Sequence, residues 1–187
     1  MGHSQSEKAR NRERILAEAS QQIRRDGLES VSVGSLMKTV GLTHGGFYGH
    51  FENRSALLAE ALERALREGE AKAQAAGSPD RYADIVRGYL SRRHRDARDS
   101  GCAVAALATD VARADDAPRA IMGRHVESFI ASVAETLGGD EARATVAVSA
   151  MVGALVLSRV VEDPARSDAI LKLVGDHLAA LQTSELP

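Results

Sequence analysis

Apolar positions recur along this chain at the three- and four-residue spacing of amphipathic helices. Ile15, Ala19 and Ile23 make one stripe, flanked by Leu16. They predict a first helix from about Glu7 to Arg25, ended by Asp26-Gly27 because glycine adopts the left-handed stop at low cost. Ser32 is placed to cap a short second helix that turns Leu36, Met37 and Val40 inward and closes at Gly41. Thr43 caps a third brief helix carrying His44 to Tyr48. Asn53 caps a fourth, which runs past Leu57, Leu58, Ala61, Leu62 and Leu66 toward Gly77.

Gly77-Ser78-Pro79-Asp80 reads as a break, after which Tyr82, Ile85, Val86, Tyr89 and Leu90 give the next helix a buried face. The run Arg92 to Asp99 is expected to carry that helix to a stop at Gly101. Cys102 to Ala114 follows as a small-residue helix. Pro118 opens another that bears Ile121, His125, Phe129 and Val133 and stops at Gly138-Gly139. Asp140 caps a helix from Glu141 to about Val161 with almost no polar face, and a helix apolar all round is expected to be buried on every side. Pro164 breaks it, and Ile170, Leu171, Val174, Leu178 and Leu181 mark a last helix from about Ser167 to Gln182.

The pattern is all-α, with about nine helices: a three-helix head over residues 1–52 and a larger helical body over residues 53–187. The last two helices hold more apolar surface than a body of this size can cover. That excess predicts a homodimer formed through a two-fold four-helix contact.

Composition agrees with a packed globular chain: 44% of the 187 residues are hydrophobic and 27% charged, with 3% aromatic and no tryptophan. The formal net charge of −2 hides an asymmetry. The first 54 residues carry eight Lys and Arg against six Asp and Glu, so a basic head sits on an acidic body and any nucleic-acid contact belongs to the N-terminal end. Cys102 is the only cysteine, which leaves no internal disulfide and makes a cytoplasmic setting the expectation. The longest uncharged stretch, between Arg143 and Arg159, is shorter than the roughly 18–20 residues a membrane span needs, so no membrane partner is expected.

Two short helices joined by Gly41-Leu42-Thr43 have the dimensions of a helix-turn-helix, whose second helix enters the DNA major groove. Thr43 offers a hydroxyl and a backbone N–H to a phosphate, and His44 is the best candidate for touching a base edge. Gly45 and Gly46 each cost roughly 1 kcal/mol in helix propensity relative to alanine, which makes sense where backbone must approach DNA. Tyr48 and His50 are placed to donate to flanking phosphates, Arg54 to clamp another, and Lys8, Arg10, Arg12 and Arg14 to form a loose electrostatic arm. Ser32 completes the candidate DNA-binding set, while Phe47 and Phe51 are read as core against Leu36, Val40 and Leu58. Few side chains remain for base readout, so DNA shape is expected to contribute to specificity.

The segment GLTHGGFYGHF, residues 41–51, resembles the recognition-helix region of TetR-family repressors, with its turn glycine, capping threonine, small residues and Tyr-x-x-Phe ending. The likeness extends through Asn53-Arg54-Ser55-Ala56-Leu57-Leu58 and back through the first helix, over about residues 10–60. It departs at Val40, at Gly34 and at Asn53-Arg54. The resemblance implies a ligand-responsive repressor that holds a palindromic double-stranded DNA operator as a dimer and releases it on binding a small molecule.

Tyr89-Leu90-Ser91, His94-Arg95-Asp96 and the run from Gly101 to Leu107 are similar to one C-terminal subgroup of that family. This similarity implies an effector pocket among Leu62, Leu66, Val86, Tyr89, Leu90, Cys102, Leu107, Ile121, His125, Phe129 and Met151. Cys102, near a helix start with Arg95 and Arg98 close in sequence, reads either as an oxidant- or electrophile-sensing thiol or as a small buried hydrophobe. A helical adaptor for protein partners would explain the apolar C-terminal helices but not the glycine pair and basic head. No His-Glu-x-x-His spacing, phosphate loop or nucleophile–base pair is found, so no enzyme, cofactor or metal is expected.

Overall fold

The computed structural model describes residues 5–74 and 81–181, all helices and connecting turns; no strand occurs among the described residues. The expected break at Gly77-Ser78-Pro79-Asp80 lies outside them, as does Gln182. Helix α1 spans Gln5–Asp26 and buries Ile15, Leu16, Ala19 and Ile23, together with two polar residues, Ser20 and Arg24. Gly27 ends it at φ +92°, and a 3₁₀ turn, Leu28–Ser30, leads to α2, Val33–Thr39. Ser32 holds the extended N-cap geometry of α2, but its hydroxyl makes no capping bond. Gly41, at φ +69°, closes α2 while Leu42 N–H donates to Met37 O at 2.8 Å.

The third predicted helix is not an α-helix. His44–Gly49 forms a 3₁₀ segment. Three glycines in six residues remove the propensity that an α-helical turn needs, and the tighter i→i+3 pattern takes over, as in the 2.8 Å bond from His50 N–H to Phe47 O. Asn53 caps α3, Arg54–Gln74, accepting from Ala56 N–H at 2.8 Å.

Beyond it, α4 covers Arg81–Tyr89 and α5 covers Arg92–Asp96. The sequence reading joined these into one helix, which the structure corrects. The Ser91 hydroxyl accepts from His94 N–H and donates to Gly88 O, so it ends one helix and caps the next. The remaining helices are α6 (Ala103–Ala112), α7 (Asp116–Thr136), α8 (Glu141–Val160) and α9 (Pro164–Leu181). Pro118 stands in the first turn of α7 behind Asp115 at the N-cap, and Pro164 begins α9, where a missing N–H costs nothing.

Two apolar cores organise the chain. The first joins Ile15, Ile23, Leu36, Met37, Phe47 and Phe51 of the head to Leu57, Leu62, Leu66 and Leu107 of α3 and α6. The second gathers Tyr82, Val86, Leu90, Val133, Met151, Leu171 and Leu178 from α4, α7, α8 and α9. Helix α3 belongs to the first core and packs against both α1 and α7, so the head and body share it as a common wall.

Burial of α8 on every side is not met within the single chain. Val146, Val156, Leu157 and Val160 are exposed, as is Leu173 on α9. By length and composition α8 is apolar enough to cross a membrane, while α6, α7 and α9 pack along it.

Candidate nucleic-acid interface

The 3₁₀ segment shows a sharp division between its faces. Phe47 is wholly buried, stacked on Phe51 at 5.6 Å and packed in the core with Leu36 and Met37. Thr43, His44, Gly45, Gly46 and Tyr48 are all exposed. Thr43 caps the segment by accepting from Gly46 N–H at 3.3 Å. The ring of Tyr48, 65% exposed, stands edge-on to Phe47 at 5.3 Å and to His44 at 6.4 Å.

Nothing inside the chain requires Gly45 or Gly49 to be bare, whereas Gly46 lies tight against the capping hydroxyl of Thr43. A Cβ on Gly45 or Gly49 would meet no atom within 4 Å, and one on Gly46 would meet only Thr43 Oγ1 at 3.3 Å and the tip of Met37. Neither Gly45 nor Gly46 has positive φ. His50 is half-buried at the end of the segment, and its Nδ1 finds no hydrogen-bond partner among the described residues. Burial, reinforced by the positive charges of Lys8 and Arg12, holds its imidazole below the usual range.

Other predicted contacts are occupied elsewhere. Arg54 donates to Val31 O at 2.8 Å, to Glu29 O at 3.2 Å and to the Glu29 carboxylate at 3.0 Å, stapling the start of α3 to the turn before α2. Arg12 pairs with Glu60 and lies over the Phe51 ring, and Arg14 donates to Val40 O. These two arm residues tie α1 to α3 and to the end of α2, whereas Lys8 and Arg10 stay exposed. Ser32 is exposed at the start of α2, on the same head.

The pocket candidates do not converge on one cavity. Leu66, Ile121 and His125 line an open groove of about 280 Å³ between α3 and α7, with Glu63, Arg67, Arg124 and Ser128. Leu62 and Leu107 are packed in the first core, and Val86, Leu90 and Met151 in the second. Tyr89 stacks on Phe129 at 5.8 Å and donates its hydroxyl to Cys102 Sγ at 3.0 Å; that sulfur also caps α6. Burial, with the neighbouring thiol, pushes the Tyr89 hydroxyl well above the usual phenol range. Cys102 N–H donates to His94 Nε2 at 3.0 Å, and His94 Nδ1 lies 2.7 Å from Tyr89 O, an arrangement that places the His94 proton on Nδ1. Spacing brought none of these partners together in advance, because four separate elements supply them.

Sequence reading also missed Arg24, whose side chain is 2% exposed. Its guanidinium donates to Asp99 O at 2.6 Å, Ala65 O at 3.3 Å and the Glu68 carboxylate at 2.8 Å. The signal was present in the row Leu16, Ser20, Arg24, where polar residues continue an apolar stripe at i, i+4. No group of His, Cys, Asp and Glu suited to a metal ion occurs among the described residues.

Comparison with known proteins accounts for the architecture. Residues 15–61 match the family model for bacterial regulatory proteins of the tetR family, and residues 83–183 match the tetracyclin repressor-like C-terminal domain. Among curated proteins none matches the sequence. A TetR-family transcriptional regulator from Cytophaga hutchinsonii superposes with a TM-score of 0.81 at 20% identity, over 99% of this chain and 100% of that one. The reduced form of NemR from E. coli gives 0.75 at 21% identity over 91% and 96%. A TetR regulator from Chloroflexus aurantiacus gives 0.76 at 18% identity over 96% and 98%. At such identities these structures establish the fold, and the family models covering head and body establish the kinship: the chain belongs to the TetR family of DNA-binding transcription regulators.

Proposed function

We propose that this regulator binds a two-fold-symmetric DNA operator as a homodimer, represses from it, and releases it when a small molecule binds the body. The observation that carries the reading is the bare outward face of the 3₁₀ segment. Thr43, His44, Gly45, Gly46 and Tyr48 are exposed together over a fully buried Phe47, and internal packing gives no reason for Gly45 or Gly49. A backbone kept free of side chains suits close approach to a groove, with Tyr48 and His50 donating to phosphates and His44 facing the bases. Ser32 stands at the start of the supporting helix as a further phosphate donor. Arg54 serves the interface by holding the supporting turn, and its 35% exposed side chain leaves it at the edge of that surface.

The exposed row Val146, Val156, Leu157 and Val160 on α8, with Leu173 on α9, supports dimerisation through those helices, since apolar side chains of this size gain from being covered. The effector reading rests on the groove between α3 and α7, whose α3 wall also supports the head. The test is fluorescence anisotropy of the full chain on DNA from its own upstream region, with light scattering to report mass. Saturable binding that weakens steeply with salt, a dimeric mass, and a loss of binding in Tyr48→Ala are expected. Binding that is absent or indifferent to Tyr48 would overturn the interface. A monomer in solution, or a dimer untouched by Leu157→Asp and Val160→Asp, would overturn the assembly.

A further inference from the structure

Besides packing along α3, the head touches the body at α6, where α1 and the Leu28–Ser30 turn meet that helix. Two polar contacts stand on this side of the molecule. Leu28 N–H donates to the Asp110 carboxylate at 3.0 Å, next to Gly27, where any Cβ would lie 2.9 Å from the same oxygen. Gly27 is required by its φ of +92°, and a side chain there would also push the Asp110 carboxylate from its seat.

The second contact is the buried Arg24 guanidinium, which reaches Asp99 O while also holding Ala65 O and Glu68 of α3. Asp99 lies in the loop between α5 and α6. A Cβ on Gly101 would lie 2.4 Å from Ala97 O, and Arg159 clamps the preceding turn through Arg95 O and His94 O. Arg24 thus reaches from the head to a body loop that Arg159 ties to α8, while Asp110 reaches from α6 to the head.

A head attached only along α3 could swing about that helix, and contacts off its axis remove this freedom. Apolar contacts tolerate small rotations, whereas hydrogen bonds to a buried guanidinium and to a carboxylate depend steeply on angle. We propose that Arg24 and Asp110 are positioning residues that set the angle of the DNA-binding head on the body and, through it, the half-site spacing the dimer accepts. This inference rests on the operator-binding reading above. It adds the residues that make spacing, rather than base sequence alone, a determinant of recognition.

Two measurements on the whole 187-residue chain test it. The first is the head–body distance distribution by electron double resonance, with spin labels at Ser35→Cys and Arg119→Cys in a Cys102→Ser background diluted with unlabelled chain. The second is anisotropy on palindromic duplexes whose half-site spacing varies by single base pairs. Arg24→Met and Asp110→Ala are expected to broaden the distance distribution and to lower the preference for the best spacing by about fivefold or more. Asp110→Asn keeps an acceptor for Leu28 N–H and should retain both properties. Should Arg24→Met fail to fold, Asp110→Ala and Asp110→Asn decide the matter, since both remove the ion pair with Arg113 and only the alanine removes the acceptor for Leu28 N–H. A narrow, unshifted distance distribution in folded Asp110→Ala overturns the positioning role whether or not DNA is bound. A broadened distribution with unchanged spacing preference overturns the link to spacing. Absence of operator binding by the parent chain overturns the operator reading and the spacing claim together, while the distance measurement still decides the role of the two residues.

Discussion

The rings of Phe47 and Tyr48 meet edge to face at 5.3 Å, adjacent in sequence yet opposite in environment, one wholly buried and the other 65% exposed. Their substitutions are therefore expected to fail differently. Phe47→Ala empties the centre of the head core and should cost about 3–5 kcal/mol, enough to unfold the head in thermal melts. Tyr48→Phe removes only an exposed hydroxyl, so melting should stay within about 0.5 kcal/mol while operator affinity falls by about 1.5–3 kcal/mol. Equal affinity of Tyr48→Phe and the parent chain would remove Tyr48 from the phosphate-contacting set.

Arg54 makes three hydrogen bonds to the turn before α2, which gives it a structural duty that a solvated phosphate clamp would not have. Arg54→Ala should lower stability by about 1–2 kcal/mol, and Arg54→Lys should recover little, because an ammonium lacks the planar fork that spans Val31 O and Glu29. Chemical denaturation of the three proteins in the absence of DNA settles this. Indistinguishable midpoints would mean that the staple contributes nothing.

Tyr89 and Cys102 form a pair in which either deletion strands the other. Cys102→Ala leaves the buried Tyr89 hydroxyl without its acceptor and is expected to cost about 1–3 kcal/mol; Tyr89→Phe should cost about 1 kcal/mol. The double substitution should cost less than the two added together. A double-mutant cycle with no coupling would show that the 3.0 Å contact carries no weight.

The lowered imidazole of His50 has a definite sign in its pH dependence. A histidine that binds its proton less readily folded than unfolded gives stability that is intact above the ordinary imidazole range, near pH 6.5, and is lost as pH falls below it. Thermal stability should therefore drop on acidification through that range, and less so in His50→Gln. Operator binding should move the other way, because a phosphate beside His50 favours the proton. Affinity that fails to rise as pH falls, or that rises equally in His50→Gln, would contradict a phosphate contact at this residue.

Much of the fold was legible in the residues themselves. The rows Ile15–Ala19–Ile23 and Leu36–Met37–Val40, the glycines at 27, 41, 138 and 139, and the caps at Thr43, Asn53 and Asp140 each act within a few residues, so local spacing located the helices. The same locality explains why the inward Phe47 and Phe51 could be told from the outward Tyr48. Where two local preferences competed, the reading failed. Ser91 broke a helix that the basic run after it was expected to continue, and three glycines turned His44–Gly49 into a 3₁₀ segment.

What the tertiary structure alone decided is which polar groups meet across long separations. Arg24 reaches Asp99, Leu28 reaches Asp110, Arg54 reaches Glu29, and Tyr89, His94 and Cys102 close on one another from three elements. Periodicity describes which side of a helix is apolar, and it says nothing of the rotation and depth at which two helices come together. A hydrogen bond works over a few tenths of an ångström and a narrow range of angle, so these pairings depend on that final placement rather than on any repeat in the chain.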